Sequence, residues 1–214
     1  MDEHTLFGEQ LTPDDVLQGQ IGNCWWMAAL SALAEYPGRV ENLFLNRQLS
    51  QAGVYGVNLY ALNVPVTIQV DDWLPLRSNG RDAVFAKIPE DGSLWGPIIE
   101  KAFAKFHGNY ARLDSGWASD GVNTLNGSPS FDIDNGSESL EKIWEGLQTT
   151  DMDGKRALIT AGTSTGGMGI AGGHAYTTLG VATLRNGERL VKLRNPWGRE
   201  GWRGDYSDAS SLMT

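Results

Sequence analysis

Apolar side chains occupy nearly every position from Cys24 to Tyr36, and the alanines within this stretch favour a helix. The pattern predicts a mostly buried helix that begins near Cys24 and ends at Pro37-Gly38. A second helix is predicted over residues 95–107, where a proline suits the first turn and a glycine suits the end. A shorter helix is predicted over residues 139–149.

Apolar residues also recur with the alternation typical of β-strands. The pattern predicts strands over residues 55–59, 64–70, 157–161, 175–184 and 189–194. The first two should be half-buried and the third fully buried. Asn186-Gly187 separates the last two strands, and this dipeptide favours a hairpin because both residues tolerate a positive φ.

The composition changes after Ser115, where glycine, serine, asparagine and aspartate become frequent up to Gly136. Such a change is typical of a boundary between structural units. We therefore expect two lobes, residues 1–115 and residues 116–214, within one domain.

Composition and charge restrict the class of protein. Of the 214 residues, 41% are hydrophobic, so the chain can bury a sizeable core. Acidic residues outnumber basic ones by 26 to 17, and the resulting charge of -9 argues against nucleic acid or anionic membrane as partners. No run approaches the ~20 apolar residues of a membrane span, and the first residues lack signal-peptide character. These features predict a soluble, cytoplasmic protein.

Cys24 is the only cysteine, so it can form neither an internal disulfide nor a thiolate cluster for zinc. A lone cysteine is usually a small buried hydrophobe. Its place at the start of a predicted helix, however, suits a nucleophile, because the helix dipole and the free N–H groups there stabilise a thiolate.

A cysteine nucleophile needs a base and a group that orients the base, and His174 and Asn195 are the candidates. A turn centred on Asn186-Gly187 pairs residues whose numbers sum to about 373, so that Asn195 faces Thr178. That position is four residues from His174, which leaves His174 and Asn195 on one face of the ribbon. Direct contact between them then requires twist, a bulge or a third strand.

An oxyanion formed during acyl transfer also needs hydrogen-bond donors. Gln18 lies six residues before Cys24, across a glycine-containing turn, so its amide can join the Cys24 backbone N–H in this role. Trp197 follows Asn195 closely, and its indole should keep water away from the hydrogen bond to the imidazole.

The chain contains three motifs: Gln18-Gly-Gln-Ile-Gly-Asn-Cys24-Trp-Trp, Gly173-His174-Ala-Tyr and Leu193-Arg-Asn195-Pro-Trp197-Gly. Together they resemble the active-site motifs of the calpain cysteine proteases. The resemblance continues through residues 70–75, 94–110 and 200–208, so it covers nearly the whole chain in family order.

This resemblance implies an α+β, papain-like fold with a helical N-terminal lobe, an antiparallel-β C-terminal lobe and the active-site cleft between them. It implies a cysteine endopeptidase that acts on protein or peptide substrates. It also implies that Gly116 and Gly173 hold the backbone of the substrate and that Trp197 lies at the lobe interface. Since the family core usually continues beyond the last residue here, we expect either a fragment of a longer parent chain with flanking domains or a reduced form of the core.

Calpain cores usually bind one calcium ion in each lobe, and calcium prefers six to eight oxygen ligands. In the first lobe, Asp15 matches a family ligand, but Ser93 stands at the matching glutamate position. Pro13 stands where the family has an arginine that relays the calcium signal.

In the second lobe, Asp208 matches a family ligand, whereas Gly201 occupies the glutamate position and Glu200 comes one residue early. Loss of a carboxylate from each site should weaken both sites strongly. We therefore predict that no cofactor is required and that catalysis has little or no calcium dependence.

Two other functions use the same residues. One is a catalytically silent calpain-like module that binds peptides or partners, although such modules typically lose the cysteine, histidine or asparagine, and all three are present here. The other is a different acyl transfer through a Cys-His pair, such as transglutaminase chemistry, against which the Asn-Pro-Trp motif argues.

Overall fold

The structure is a computed structural model that describes residues 4–152, 157–199, 201–207 and 209–213. Its α-helices are Cys24–Ala34 (α1), Pro37–Leu43 (α2), Trp95–Phe106 (α3), Ala118–Asn126 (α4) and Leu140–Met152 (α5). Its strands are Val54–Ala61 (β1), Val64–Asp71 (β2), Thr160–Thr163 (β3), His174–Thr183 (β4) and Arg189–Arg194 (β5). The predicted α+β class is confirmed. Within the described residues, no helix is long and apolar enough to cross a membrane.

Helix α1 is the central element of the first half of the chain. All ten residues that follow Cys24 in this helix are buried, which agrees with its apolar character on every side. The helix begins at Cys24 as predicted and ends at Ala34. Pro37 is the first residue of α2. A proline is tolerated at the first helical position, because the N–H that it lacks would have no partner within the helix.

Two more helices and a hairpin complete this helical half, which comprises the 3-10 turn Pro13–Asp15 and α1 to α4 with β1 and β2. Trp26 of α1 stacks on Phe103 of α3 with ring centroids 3.4 Å apart. Helix α3 follows its prediction to within one residue, whereas α4 was not predicted. Helix α4 packs against α1 and β1, and its Leu125 joins the same core. The predicted lobe boundary after Ser115 stays a prediction.

The β1–β2 hairpin confirms the first two predicted strands, but its burial is uneven. Tyr55, Val57 and Leu59 of β1 are fully buried against the helices. In β2 only Val70 is buried, so the prediction of two half-buried strands is wrong for β2. The reason is the packing of the helices, since β1 contacts α2, α3 and α4, whereas β2 packs mainly against α3.

The C-terminal sheet has the strand order β3-β4-β5 and is antiparallel throughout. Strand β3 begins at Thr160, so it is shifted from the predicted residues 157–161, and it is only half-buried because it is an edge strand. The first five residues of β4, from His174 to Thr178, are buried. Strand β4 packs against α1, and Thr177 Oγ1 donates a hydrogen bond of 2.8 Å to the Ala28 carbonyl.

The register of the β4–β5 hairpin differs from the prediction. Near the turn, Thr183 pairs with Arg189, and a bulge between Thr178 and Gly180 then shifts the register by one further residue. Beyond the bulge, Thr177 pairs with Arg194, so the predicted pairing of Thr178 with Asn195 is wrong. Extending this register places Asn195 two residues from His174 instead of four, and the even offset still keeps both on one face.

Candidate active site

The helix that begins at Cys24 and the strand that begins at His174 lie against each other. Cys24 is partly exposed. Besides the bond between Thr177 and Ala28, the Gln18 backbone N–H donates to the Pro196 carbonyl at 2.8 Å. The segment around Cys24 is therefore hydrogen-bonded directly to the segment that follows β5.

His174 and Asn195 are in direct contact, with 2.9 Å between His174 Nε2 and Asn195 Oδ1. Asn195 Oδ1 also accepts a hydrogen bond of 3.0 Å from the Trp197 backbone N–H, so this end of the amide is the acceptor. Nε2 must then carry the proton and donate it to Oδ1. In the neutral imidazole this leaves Nδ1 as the atom with a free lone pair.

The surroundings of His174 hold its imidazole ring in place and shift its pKa. The Trp197 ring lies at a tilt with its centroid 4.2 Å from that of the imidazole, and the Tyr176 ring meets it edge-on at 4.8 Å. Burial lowers the pKa of His174 below its ordinary value, and the hydrogen bond to Asn195 partly opposes this effect. The ring therefore favours the neutral form, in which it can accept a proton.

The Gln18 side chain is buried and held by the turn that precedes Cys24. Its Nε2 donates a hydrogen bond of 2.7 Å to the Ile21 carbonyl, while its buried Oε1 has no hydrogen-bond partner among the described residues. An amide nitrogen carries two hydrogens, so the bond to Ile21 leaves one N–H available.

The two predicted substrate-binding glycines border this region in different ways. Gly116 lies directly on the indole of Trp25, because a Cβ at this position would come within 2.4 Å of the ring. Trp25 Nε1 donates to the Leu113 carbonyl at 3.0 Å, which fixes this contact beside Cys24. Gly173 has a φ of +60° and open space where a Cβ would point, so the backbone before His174 is uncovered.

A buried carboxyl group lies behind the nucleophile candidate. Glu100 of α3 accepts hydrogen bonds of 2.7 Å from Asn23 Nδ2 and from the Ala86 backbone N–H. Asn23 is the N-cap residue of α1, and its Oδ1 has no hydrogen-bond partner in the described structure. Burial raises the pKa of Glu100 to about 7, against the lowering effect of its two hydrogen bonds.

The raised pKa of Glu100 predicts a pH-dependent stability. From its ordinary value of 4.5 to about 7, the folded protein binds more protons here than the unfolded chain. The free energy of unfolding should therefore fall by about 3 kcal/mol as the pH rises through this window. We expect Glu100→Gln to remove this fall, because the neutral amide keeps the bond from Ala86 and can donate to Asn23 Oδ1.

Urea unfolding of both proteins between pH 4.5 and 8 measures this difference. Glu90→Gln, at an exposed position just before α3, is the matched control and should keep the wild-type dependence on pH. If Glu100→Gln shows the same fall as the wild type, the titrating group is not Glu100.

The residues matched to the first-lobe calcium ligands do not fit a calcium site. Asp15 is buried, and its carboxylate already accepts hydrogen bonds from the Thr12 backbone N–H at 2.8 Å and from Trp95 Nε1 at 3.4 Å. Burial raises the pKa of Asp15, and the charge of Asp91 adds to this effect, whereas the bonds from Thr12 and Trp95 lower it. Ser93 could add only a neutral hydroxyl. Calcium needs more charge and more oxygens than this pair supplies.

Most of the positions matched to the second-lobe calcium ligands lie outside the described residues. Asp208 and Glu200 are not among the described residues. Gly201 is described, but a glycine has no side-chain oxygen. In the described part of the chain, no three acidic, histidine or cysteine side chains are close enough together to bind a metal ion.

Sequence reasoning missed three residues that support this region: Thr177, Glu100 and Arg194. Thr177 gave no signal, and Glu100 was noticed only as part of the resemblance over residues 94–110, because the role of a buried threonine or glutamate is apparent only once its partners are placed. Arg194 did give one, since it belongs to the Leu193-Arg-Asn195 motif, but that motif showed no partner for its charge.

The sequence of this chain is similar to those of known proteins. Residues 1–213 match the family described as calpain family cysteine protease. The chain is 34% identical to the calpain-type cysteine protease DEK1 of Arabidopsis thaliana, over 98% of this chain and 10% of that protein. It is 35% identical to Calpain-14 of Homo sapiens, over 92% of this chain and 30% of that protein. The chain thus spans between a tenth and about a third of the length of these relatives.

Proposed function

The chain belongs to the calpain family of cysteine proteases, and from this premise we propose that it hydrolyses peptide bonds of protein substrates. In this proposal Cys24 is the nucleophile, His174 is the general base and Asn195 orients the base. The observation that carries the proposal is the bond of 2.9 Å between His174 and Asn195, in a sheet that packs against the helix beginning at Cys24.

The proposed reaction begins when the Cys24 thiol gives its proton to His174 Nδ1. The hydrogen bond from Nε2 to Asn195 supports this direction of transfer, because it leaves Nδ1 as the only ring atom that can accept. The thiolate then attacks the carbonyl carbon of the peptide bond. The imidazolium returns the proton to the leaving amine, which gives an acyl-enzyme that water hydrolyses with the same base.

The tetrahedral intermediate in each step carries a negative oxygen that needs donors. The Cys24 backbone N–H is suited to this role because the first N–H groups of a helix have no partner within the helix. The Gln18 side chain can supply the second donor through the Nε2 hydrogen that its bond to Ile21 does not use. The anchoring of the Gln18 amide before the reaction supports a preorganised oxyanion site.

The substrate would lie in extended form between Gly116 and Gly173, both of which are exposed. The absence of side chains there lets two main chains approach closely. Trp197 would cover the hydrogen bond between His174 and Asn195 and limit the access of water to it.

We also propose that this activity has little or no calcium dependence. The support lies at Asp15, whose carboxylate bonds to Thr12 and Trp95, and at Ser93, which replaces a carboxylate. Hydrogen bonds between the chain's own residues, instead of a bound ion, would hold the helical half and the C-terminal sheet together.

An epoxide probe for thiol proteases tests the function directly. We expect the purified chain to cleave unfolded casein and to form one adduct, which mass spectrometry should map to Cys24. Both should proceed at the same rate in excess chelator as in millimolar calcium. Adduct formation only with added calcium would contradict the proposed independence from calcium. The absence of both the adduct and cleavage would favour the silent peptide-binding module.

A further inference from the structure

Arg194 directly precedes Asn195, and its side chain is only 7% exposed. Its Nε donates to Asp14 Oδ1 at 2.9 Å, and its Nη2 donates to the Asp14 carbonyl at 3.0 Å. Its Nη1 donates to Ser31 Oγ at 3.3 Å. Asp14 lies in the 3-10 turn Pro13–Asp15 and Ser31 lies in α1, so one guanidinium joins β5 to two elements of the helical half.

Because the Arg194 guanidinium is buried, its charge needs hydrogen-bond partners within the protein. A guanidinium stays protonated at any physiological pH, and a buried charge without partners is strongly destabilising. Arg194 finds its partners only when β5 lies against α1 and the Pro13–Asp15 turn. A displacement of the sheet that is too small to admit water would therefore leave the cation buried and without its partners.

A second contact acts on the same face of α1. Thr177 pairs with Arg194 across β4 and β5, and Thr177 Oγ1 bonds to the Ala28 carbonyl. Ala28 and Ser31 are three residues apart, which puts them on one face of the helix. The cross-strand pair thus contacts two positions, about one turn apart, on the helix that begins at Cys24.

The contact also runs beside the proposed catalytic residues. Asp14 comes four residues before Gln18, whose backbone N–H bonds to the Pro196 carbonyl at 2.8 Å. The segment from Asp14 to Gln18 is therefore bonded at both ends to the segment from Arg194 to Pro196. Asn195 lies between these two bonds and cannot move relative to the helical half unless one of them breaks.

We propose that Arg194 is a positioning residue, which ties β5 to α1 and to the Pro13–Asp15 turn and thereby holds Asn195 and His174 in register with Cys24. This inference rests on the proposed protease function. It names the interaction that would keep the two parts of the site aligned without a bound ion.

Arg194→Lys tests the proposal because lysine keeps the charge but loses the planar fork that reaches Asp14 and Ser31 together. We expect kcat for peptide hydrolysis to fall about 10-fold or more, since a displacement of about 1 Å is enough for such a loss. KM should change little, because the glycines proposed to hold the substrate are not involved. Arg189→Lys is the matched control: Arg189 lies in the same strand and pairs with Glu141 at the surface, so kcat should stay at the wild-type value.

Asp14→Asn provides a second variant, since the Asp14 side chain is 88% exposed and its replacement leaves the core intact. It should lower kcat in the same direction, and the double variant with Arg194→Lys should be no slower than the slower single variant. A lower unfolding midpoint with unchanged kcat, or fully additive losses, would overturn the positioning role. An inactive wild type would instead reject the proposed function, so the two failures are distinguishable.

Discussion

Replacement of Cys24 by alanine is expected to lower kcat/KM for peptide hydrolysis at least about ten-thousand-fold, the loss typical of a missing nucleophile. The expectation follows from the sequence as much as from the structure, since the chain has no second cysteine that could take over. What remains would be the hydrolysis that substrate binding and the oxyanion donors support by themselves. The adduct with the epoxide probe should disappear as well.

Cys24→Ser is the informative companion variant, because it replaces only the sulfur atom with oxygen and so exchanges the thiol for a hydroxyl. It should be nearly as inactive as Cys24→Ala, since a hydroxyl is far harder to ionise than a thiol. Both variants should bind peptide substrates as the wild type does. Cys24 is partly exposed, so the free energy of unfolding should change by less than about 1 kcal/mol in either variant.

Activity assays and urea unfolding of the three proteins measure these effects separately. Loss of activity together with loss of folding would show a structural cysteine instead of a nucleophile. Cleavage by Cys24→Ala at more than a small fraction of the wild-type rate would reject the proposed mechanism.

The elements that sequence predicts best are those whose own side chains determine their burial. Helix α1 is apolar on every side and α3 has a clear apolar face, so both follow their predictions to within two residues. Helix α4 is the contrary case, because it contains glycine, serine, threonine and two asparagines and forms by packing against α1 and β1. Its short apolar face, formed by Ala118, Val122 and Leu125, lies among residues that are typical of turns, so the composition of residues 118–126 predicts a loop instead of a helix.

The hairpin shows a similar limit within the candidate site. The Asn186-Gly187 signal locates the turn, and the period of two puts His174 and Asn195 on one face. The register at the turn already differs by one residue from the prediction, and the bulge between Thr178 and Gly180 brings the two residues one residue closer still; no local pattern predicts either shift. Sequence thus identifies the two residues as neighbours in outline, while tertiary packing produces their contact.

His174→Ala is expected to lower kcat/KM about ten-thousand-fold, because it removes both the base for the thiol and the acid for the leaving amine. Asn195→Ala should cost less, about 100-fold. The rings of Trp197 and Tyr176 still hold the imidazole when the amide is gone, so the ring loses orientation but not its place. His4→Ala is the matched control, because His4 is exposed and far from His174 in the sequence, and this variant should keep wild-type activity.

The choice of substrate separates a role in proton transfer from general damage to the site. The hydrogen bond that His174 Nε2 donates to Asn195 raises the pKa of His174, so its loss leaves less imidazolium to protonate a leaving amine. A nitrophenyl ester has a leaving group that needs no proton, so Asn195→Ala should impair ester hydrolysis much less than amide hydrolysis. Equal losses on both substrates would mean that Asn195 supports the shape of the site and not the proton transfer, and that the bond of 2.9 Å to His174 is structural.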